Sequence, residues 1–265
     1  MRSPLPLSMP QPADIRDANA WQRKLEEEKL AALAEFAAGA GHEINNPLAV
    51  ICGRAELLLR QETHPERRRD LTTIHAQARR VYEMIADLML FARPPRLVLE
   101  ALDLTSLLKE LAGELAPRCK ERGIDLGMEL DRKPIEVLAD HTQLLVALRA
   151  LCDNALEALE AGGRIEIASR IEGDKDGRMA RVEVRDNGPG FDHDVRRHLF
   201  DPFFSGRAAG RGLGMGLAKC WRIVRLHEGM IDVESEPGEG ATFMIRLPSV
   251  PASPKRGAHR RNGAA

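Results

Sequence analysis

The residues with the clearest capacity for chemistry are Gly41-His42-Glu43-Ile44-Asn45-Asn46-Pro47-Leu48, which set an imidazole beside a carboxylate in an apolar-periodic, helical stretch. A neutral imidazole is nucleophilic near pH 7, and a carboxylate accepting its other ring proton fixes the tautomer and raises basicity as a phosphoryl group arrives. Glu43 has the chemistry for that partner. Asn46, one helical turn on from His42, shares its face and can orient a water. Pro47 removes a backbone donor, which predicts a kink and a hinge beside the histidine. The second half of the chain supplies what a phosphoryl acceptor needs. In Asp186-Asn187-Gly188-Pro189-Gly190, at the end of a strand-like run, the glycines permit close backbone approach and Asp186 can accept the exocyclic amine of a purine. Gly210, Gly212, Gly214 and Gly216 precede a helix signal, so their amides and the positive helix end can hold a triphosphate. Asn154, on a helix near Asp153 and Glu157, offers an amide oxygen suited to Mg2+ bridging phosphates. The glycine run is not a Walker loop, because no Lys-Ser or Lys-Thr comes after it, and not a Rossmann fingerprint, because no strand enters it directly. Singly, each feature has a plainer reading as a surface histidine, a turn, a glycine loop or an exposed helical Asn. Only in combination do they point to phosphoryl transfer.

These groups need elements to position them. Leu30, Ala37, Ile44, Ile51 and Leu58 recur every seven residues, with Leu33, Ala40 and Ala55 near the complementary positions, which predicts a helix from about 25 to 61 with a seam for another helix. His42, two positions before Ile44, then projects roughly 160° from that seam, toward solvent. After a polar break at Glu62-Thr63-His64-Pro65, Leu71, Ile74, Ala78, Val81, Ile85 and Leu88 predict a second helix over about 67–91. Such a hairpin cannot cover its own apolar face, so a four-helix bundle made from two copies is expected. Pro94-Pro95 ends the second helix, and the texture then alternates between helices (104–119, 140–159, 214–227) and strands (124–130, 164–171, 181–185, 230–234, 241–247). That order predicts an α/β sandwich with helices on one face of a mixed sheet.

Bulk properties narrow the classes. Across 265 residues, 39 basic against 40 acidic side chains give a net charge of −1, so no global field points to nucleic acid or an anionic membrane. Cys52, Cys119, Cys152 and Cys220 form no CxxC pair and no zinc-ligand spacing, and read as buried thiols in a reducing compartment. No run approaches the roughly 20 apolar residues of a membrane span, nor the shorter run of a signal peptide, so a soluble cytoplasmic protein without membrane insertion is expected. Residues 1 to about 20, with Pro4, Pro6, Pro10 and Pro12, and the basic tail beyond Pro248 read as flexible ends.

In their order these residues resemble the sensor histidine kinases of two-component systems, whose nucleotide domain shares a superfamily with gyrase, Hsp90 and MutL. His42 to Leu48 looks like the phosphoacceptor box, Asn154-Ala155 like the N box and Asp186 to Gly190 like the first glycine box. Phe200-Asp201-Pro202-Phe203-Phe204 resembles the F box, Gly210 to Gly216 the second glycine box, and Gly238 to Phe243 the closing hairpin. The resemblance implies an α+β multidomain chain, with a dimerisation and histidine-phosphotransfer hairpin (24–93) forming a dimeric four-helix bundle. A linker (94–103) and a Bergerat (GHKL-type) ATP-binding α/β sandwich (104–248) would come next, between flexible segments 1–23 and 249–265. ATP and Mg2+ would bind through Asn154, also the metal contact, with Asp186, Gly188, Gly190, Phe203, Arg211, Gly212, Leu213, Gly214, Gly216 and Thr242. Phe203 to Arg211 would form a lid. The γ-phosphoryl group would pass to His42 with Glu43 as base, then to an aspartate of a response regulator receiver domain, and Asn46 would serve regulator dephosphorylation.

The sequence departs from the family pattern at Ala150, where a second Asn is frequent, and at Ser205-Gly206-Arg207, where Thr-Thr-Lys is more usual. Ala150 also stands where gyrase-like ATPases carry a glutamate base, which favours transfer over hydrolysis. Fewer than about 25 residues precede the hairpin, too few for a sensor domain, so input is expected from a partner protein, from the short N-terminal segment or from sequence outside this chain. A nucleotide-sensing dimeric scaffold without transfer and a net regulator phosphatase stay open beside the kinase reading.

Overall fold

The computed structural model describes residues 12–173, 178–204 and 214–250. In the first helix the side chains before Glu28, and several from there to His42, lie outside that description. The chain divides into two compact units between Pro95 and Arg96.

The first unit is a helical hairpin of α1 (Pro12–Gln61) and α2 (Pro65–Ala92). Residues 12–20, expected within the flexible lead-in, are helical, and Pro12 occupies the first helical position, where a missing N–H costs nothing. The helix continues unbroken through Pro47. Gly41, Leu48 and Ala55, spaced by seven, are buried. A Cβ on Gly41 would lie 3.4 Å from Ile85 Cγ2 and 3.5 Å from Met89 Sδ, so this stripe faces α2. Ile44, Ile51 and Leu58, the described part of the predicted seam, instead remain 37%, 43% and 56% exposed. Three positions along a helix turn the side chain by about 60°, so α1 carries two adjacent heptad stripes, and only one meets α2. At the hairpin tip, the Glu62 carboxylate accepts the backbone N–H groups of Thr63 (3.0 Å) and His64 (2.9 Å). The hydrogen bond from His64 holds that carboxyl below its ordinary range. The Arg68 guanidinium donates to the carbonyls of Leu59 and Glu62, both at 2.8 Å, satisfying groups that the end of α1 leaves unpaired.

The second unit contains β1 (Glu100–Asp103), α3 (Leu104–Glu121), β2 (Asp125–Leu130), β3 (Glu136–Ala139), α4 (His141–Ala158), β4 (Arg164–Glu172) and β5 (Met179–Asp186). After these come α5 (His193–His198), α6 (Gly216–Leu226), β6 (Met230–Ser235) and β7 (Ala241–Pro248). Five strands form one sheet in the order β2-β4-β5-β7-β6, with β2 and β4 parallel and the other pairs antiparallel. The short strands β1 and β3 pair separately, so part of the expected 94–103 linker is strand. Neither β1, β3 nor α5 is expected from the sequence; each is only four to six residues long, too short for a period to show.

Period-two alternation divides the sheet. Ile165, Ile167, Val182, Val184, Phe243 and Ile245 are buried on the inner face and pack with Leu107 and Leu111 of α3 and Leu144, Leu148 and Leu151 of α4. Fully burying each such side chain is worth roughly 1.5–3 kcal/mol. The outer face is an ionic lattice. Arg170 (3.0 Å), Arg181 (2.6 Å) and Arg185 all reach Glu183, and Glu172 bonds Arg181 (2.7 Å), Arg170 (3.3 Å) and Arg246 (3.3 Å). Burial pushes the Glu172 carboxyl up, but hydrogen bonds from Arg181 and Arg170 outweigh it and hold the group below its ordinary value. Helices start on aspartate caps: Asp103 accepts from Thr105 N (3.0 Å), Asp140 from Gln143 N (3.0 Å) and Asp192 from Val195 N (2.9 Å). Cys119, Cys152 and Cys220 are buried and Cys52 half-buried, all unpaired. No helix among the described residues is long and apolar enough to cross a membrane.

Candidate nucleotide and phosphoacceptor sites

Asp186 ends β5 on the inner face, only 8% exposed, and its Oδ1 accepts the N–H of Gly188 at 2.9 Å. This two-residue Asx turn folds the chain sharply off the strand, and the crowding at 188 and the left-handed backbone at 190 both favour glycine. A Cβ on Gly188 would come within 2.8 Å of Asp186 Oδ1 and 3.3 Å of the Ala158 methyl group, filling the space beside the carboxylate. Gly190 (φ +62°) and Gly240 (φ +80°) lie in the left-handed region, and Cβ atoms there would meet Glu236 O at 2.1 Å and Asp186 O at 2.0 Å. The glycine turn is therefore locked against the β6–β7 hairpin. Gly238 N donates to Pro189 O (2.7 Å), Phe191 N to Ser235 Oγ (3.0 Å), and Ser235 Oγ to Gly240 O (2.6 Å). On the other side Asn187 is tied to the start of β4, its Oδ1 accepting from Arg164 N at 2.6 Å.

Asn154 is half-buried on α4. Its helical neighbour one turn on is Ala158, the residue against Gly188, so the fold turns this face of α4 toward the Asp186 turn. Ala150, one turn earlier, packs partly buried on the core. Asp153 is engaged by Arg118 at 2.5 Å. Gly214 (φ +70°) is so close to the end of the F-box segment that a Cβ would lie 2.3 Å from Phe204 O. Two residues later Gly216 opens α6 with nothing near a Cβ position, and Met215 provides no side-chain cap to the first turn. An uncapped helix start with glycine space suits an anion. Phe203 is itself in the left-handed region (φ 67°) and half exposed, a backbone costly for an aromatic residue. Phe204 packs on the His198 ring (5.5 Å between centroids), and His198 Nδ1 lies 2.7 Å from Asp201 Oδ2. Arg211, Gly212 and Leu213, with the rest of 205–213, lie outside the described residues.

The fold does not bring Thr242 to this site. Asp186 pairs with Ala241, whereas Thr242 pairs with Arg185 and Glu234, so Thr242 stands on the outer, ionic face of the sheet. Strand periodicity places Ala241, 6% exposed, on Asp186's face. The signal was in the sequence: with Phe243 and Ile245 in the core, their two-residue register selects 241 rather than 242.

These residues fit a purine nucleotide: a buried carboxylate under a cradle that a methyl group would fill, and an uncapped helix start. For a divalent cation, Asn154 provides an amide oxygen, and no cluster of three or more His, Cys, Asp or Glu suited to a metal exists among the described residues. That donor set suits an ion held mainly by phosphate oxygens.

In the hairpin unit, Glu43 and Asn46 are exposed on α1. Positions 42 and 46 stand one turn apart on the continuous helix, and the His42 side chain, expected to face solvent, lies outside the described residues.

Comparison with known proteins supports both units. Residues 139–251 match the family described as histidine kinase-, DNA gyrase B-, and HSP90-like ATPase, and residues 32–96 match the His kinase A (phospho-acceptor) domain. The signal transduction histidine-protein kinase AtoS of Escherichia coli K12 is 32% identical over 90% of this chain and 39% of its own length. The sensor histidine kinase ZraS of Klebsiella oxytoca is 34% identical over 83% of this chain and 47% of its own. The chain thus spans under half the length of these relatives. Among solved structures, full-length ShkA in complex with AMPPNP superimposes with a TM-score of 0.72 at 28% identity, over 83% of this chain and 47% of that one. Histidine kinase ThkA in complex with the response regulator protein TrrA gives 0.63 at 25% identity, over 87% and 66%. With a phospho-acceptor hairpin followed by a nucleotide-binding α/β sandwich, the chain belongs to the two-component sensor histidine kinase family.

Proposed function

We propose that this chain is an ATP-dependent protein histidine kinase that phosphorylates itself on His42 and passes the phosphoryl group to an aspartate of a response regulator. One observation carries the reading. The buried Asp186 carboxylate heads a glycine-containing turn on the same chain as His42, which an exposed Glu43 adjoins and an exposed Asn46 follows one helical turn later. In this reading Asp186 accepts the adenine amine, and the first-turn amides of α6 with Gly214 and Gly216 hold phosphate oxygens. Arg211, Gly212, Leu213 and Phe203 complete the phosphate side, and Gly188 and Gly190 leave room for the base. The His42 ring nitrogen attacks the γ-phosphorus; an N–P bond forms as the bond to the β-phosphate oxygen breaks and ADP leaves. Glu43 accepts the ring's other proton. Asn154 would help hold Mg2+, which would supply charge neutralisation on the phosphates. Ala150 offers no group to activate water, which favours transfer over hydrolysis.

The hairpin, about 24–93, acts as the phosphotransfer unit and 104–248 as the catalytic one. The exposed Ile44, Ile51, Leu58 and Ile74 support a four-helix bundle with a second copy. Asn46, exposed one turn from His42, supports an additional regulator phosphatase activity in which it orients water. The reading places the protein where ATP and receiver domains reside, in the cytoplasm, with input from a separate protein or segment. Incubation with γ-labelled ATP tests it: acid-labile, alkali-stable label appears on the chain and is absent in His42→Gln. Label persisting in that variant overturns the assignment, and nucleotide binding without label in the wild type selects the scaffold reading that Ala150 motivates.

A further inference from the structure

Asp140 and His227 tie together three segments that the proposed chemistry does not use directly. The Asp140 carboxylate is 8% exposed and fully engaged. Oδ1 caps α4 through Gln143 N (3.0 Å), and Oδ2 accepts the N–H of Val98 (3.0 Å), in the extended stretch after Pro94-Pro95. Its own backbone N–H donates to His227 Nε2 (3.0 Å), while His227 Nδ1 lies 2.8 Å from Ile223 O. An imidazole accepting at Nε2 donates at Nδ1, so these contacts fix one neutral tautomer of a ring that is only 5% exposed. His227 comes directly after the last turn of α6, whose other end carries Gly216; Asp140 starts α4, which carries Asn154. The two helices that present nucleotide-facing groups are thus joined at their distal ends, and the same carboxylate holds the chain arriving from the hairpin.

We propose that Asp140 and His227 are positioning residues for the nucleotide site: docking of Val98 on Asp140 sets the relative placement of α4 and α6, and so the affinity for ATP. The proposal rests on the nucleotide reading above. Burial pushes the Asp140 carboxyl up, yet the N–H groups of Gln143 and Val98 outweigh that and keep it ionised, the form that can accept both bonds. Neither Val98 nor Asp140 contacts the turn at Asp186 by any described hydrogen bond, so an effect on ATP must pass through the helices.

The test uses the full chain and Mg-ATP titrated by calorimetry. Val98→Pro removes the donor while leaving the α4 cap and the sheet intact, and Asp140→Asn keeps a cap acceptor while replacing Oδ2 with a donor. Each single variant should weaken ATP binding roughly five- to tenfold, within the range by which remote residues modulate coupling. The double variant should be no worse than the weaker single one, because both remove the same bond. ATP affinity within twofold of wild type in Val98→Pro overturns the proposal, whether or not the thermal midpoint falls, because a merely structural bond lowers the midpoint alone. Additive losses in the double variant also overturn it. A wild type that fails to bind Mg-ATP refutes the nucleotide reading itself, so the two failures are distinguishable.

Discussion

The Cβ that Gly240 lacks would lie 2.0 Å from the carbonyl oxygen of Asp186, so the β6–β7 hairpin touches the end of β5 backbone to backbone. Any side chain at 240 must push the Asp186 turn away or abandon φ +80°. Gly240→Ala is expected to lower stability by about 2–4 kcal/mol and to abolish measurable ATP binding in the folded fraction. Thermal denaturation followed by nucleotide titration at 10 °C checks this; wild-type affinity in the variant refutes the backbone contact.

Asp186→Asn retains an oxygen to accept from Gly188 but places an NH2 where a second acceptor stood. It should fold like wild type by circular dichroism and bind ATP roughly 10- to 100-fold more weakly, the loss of one hydrogen bond to a charged group. An unchanged ATP dissociation constant would show that the carboxylate does not read the base.

Sheet register separates two adjacent residues. Thr242→Val, on the ionic face, should leave ATP affinity within twofold, whereas Ala241→Leu, on Asp186's face, should reduce it at least tenfold by occupying the base's space. Parallel titrations decide it, and the reverse ranking would mean that the nucleotide lies across the other face.

The exposed stripe Ile44, Ile51 and Leu58 predicts a concentration-dependent dimer. Ile51→Glu should shift the light-scattering mass from dimer to monomer while leaving helix content nearly unchanged, because this stripe does not meet α2 within one chain. A wild type that is monomeric at tens of micromolar would remove the basis for the bundle.

Asp140 also sets a pH dependence. Its folded carboxyl pKa lies below the ordinary 3.8, so its contribution is fully present above that value and is lost as pH falls through the folded one. The gap in thermal midpoint between wild type and Asp140→Asn should therefore be constant from pH 7 to 5 and close below about pH 4. A gap that widens on acidification contradicts the sign.

Long periodic elements were legible because each repeats its signal. The helix ends of α2 and α3, and the strands β2, β4, β5, β6 and β7, fall within a few residues of their expected limits. What the heptads of α1 did not reveal is which of two neighbouring stripes meets α2. Gly41, with no side chain, scores as neither apolar nor polar, yet its missing Cβ is what admits Ile85 and Met89. The short β1 and β3 pair with each other, with Val137 of β3 also bridging Ser249, and a four-residue ladder leaves no pattern to read. In the candidate site, Asp186 and its glycines were legible from types and spacing. Motif proximity groups Thr242 with them, although the two-residue register assigns it to the opposite face. In sequence, an N-cap aspartate such as Asp140 looks the same whether it holds one N–H or two.

The near contact of Gly214 with Phe204 O pins together two described points ten positions apart in the chain. Whatever is spliced between those anchors adds closure entropy that grows only with the logarithm of its length, about 0.6 kcal/mol per doubling. The two anchors hold each other through the Gly214 backbone, so a change in the length of the connection between them is expected to cost the scaffold little.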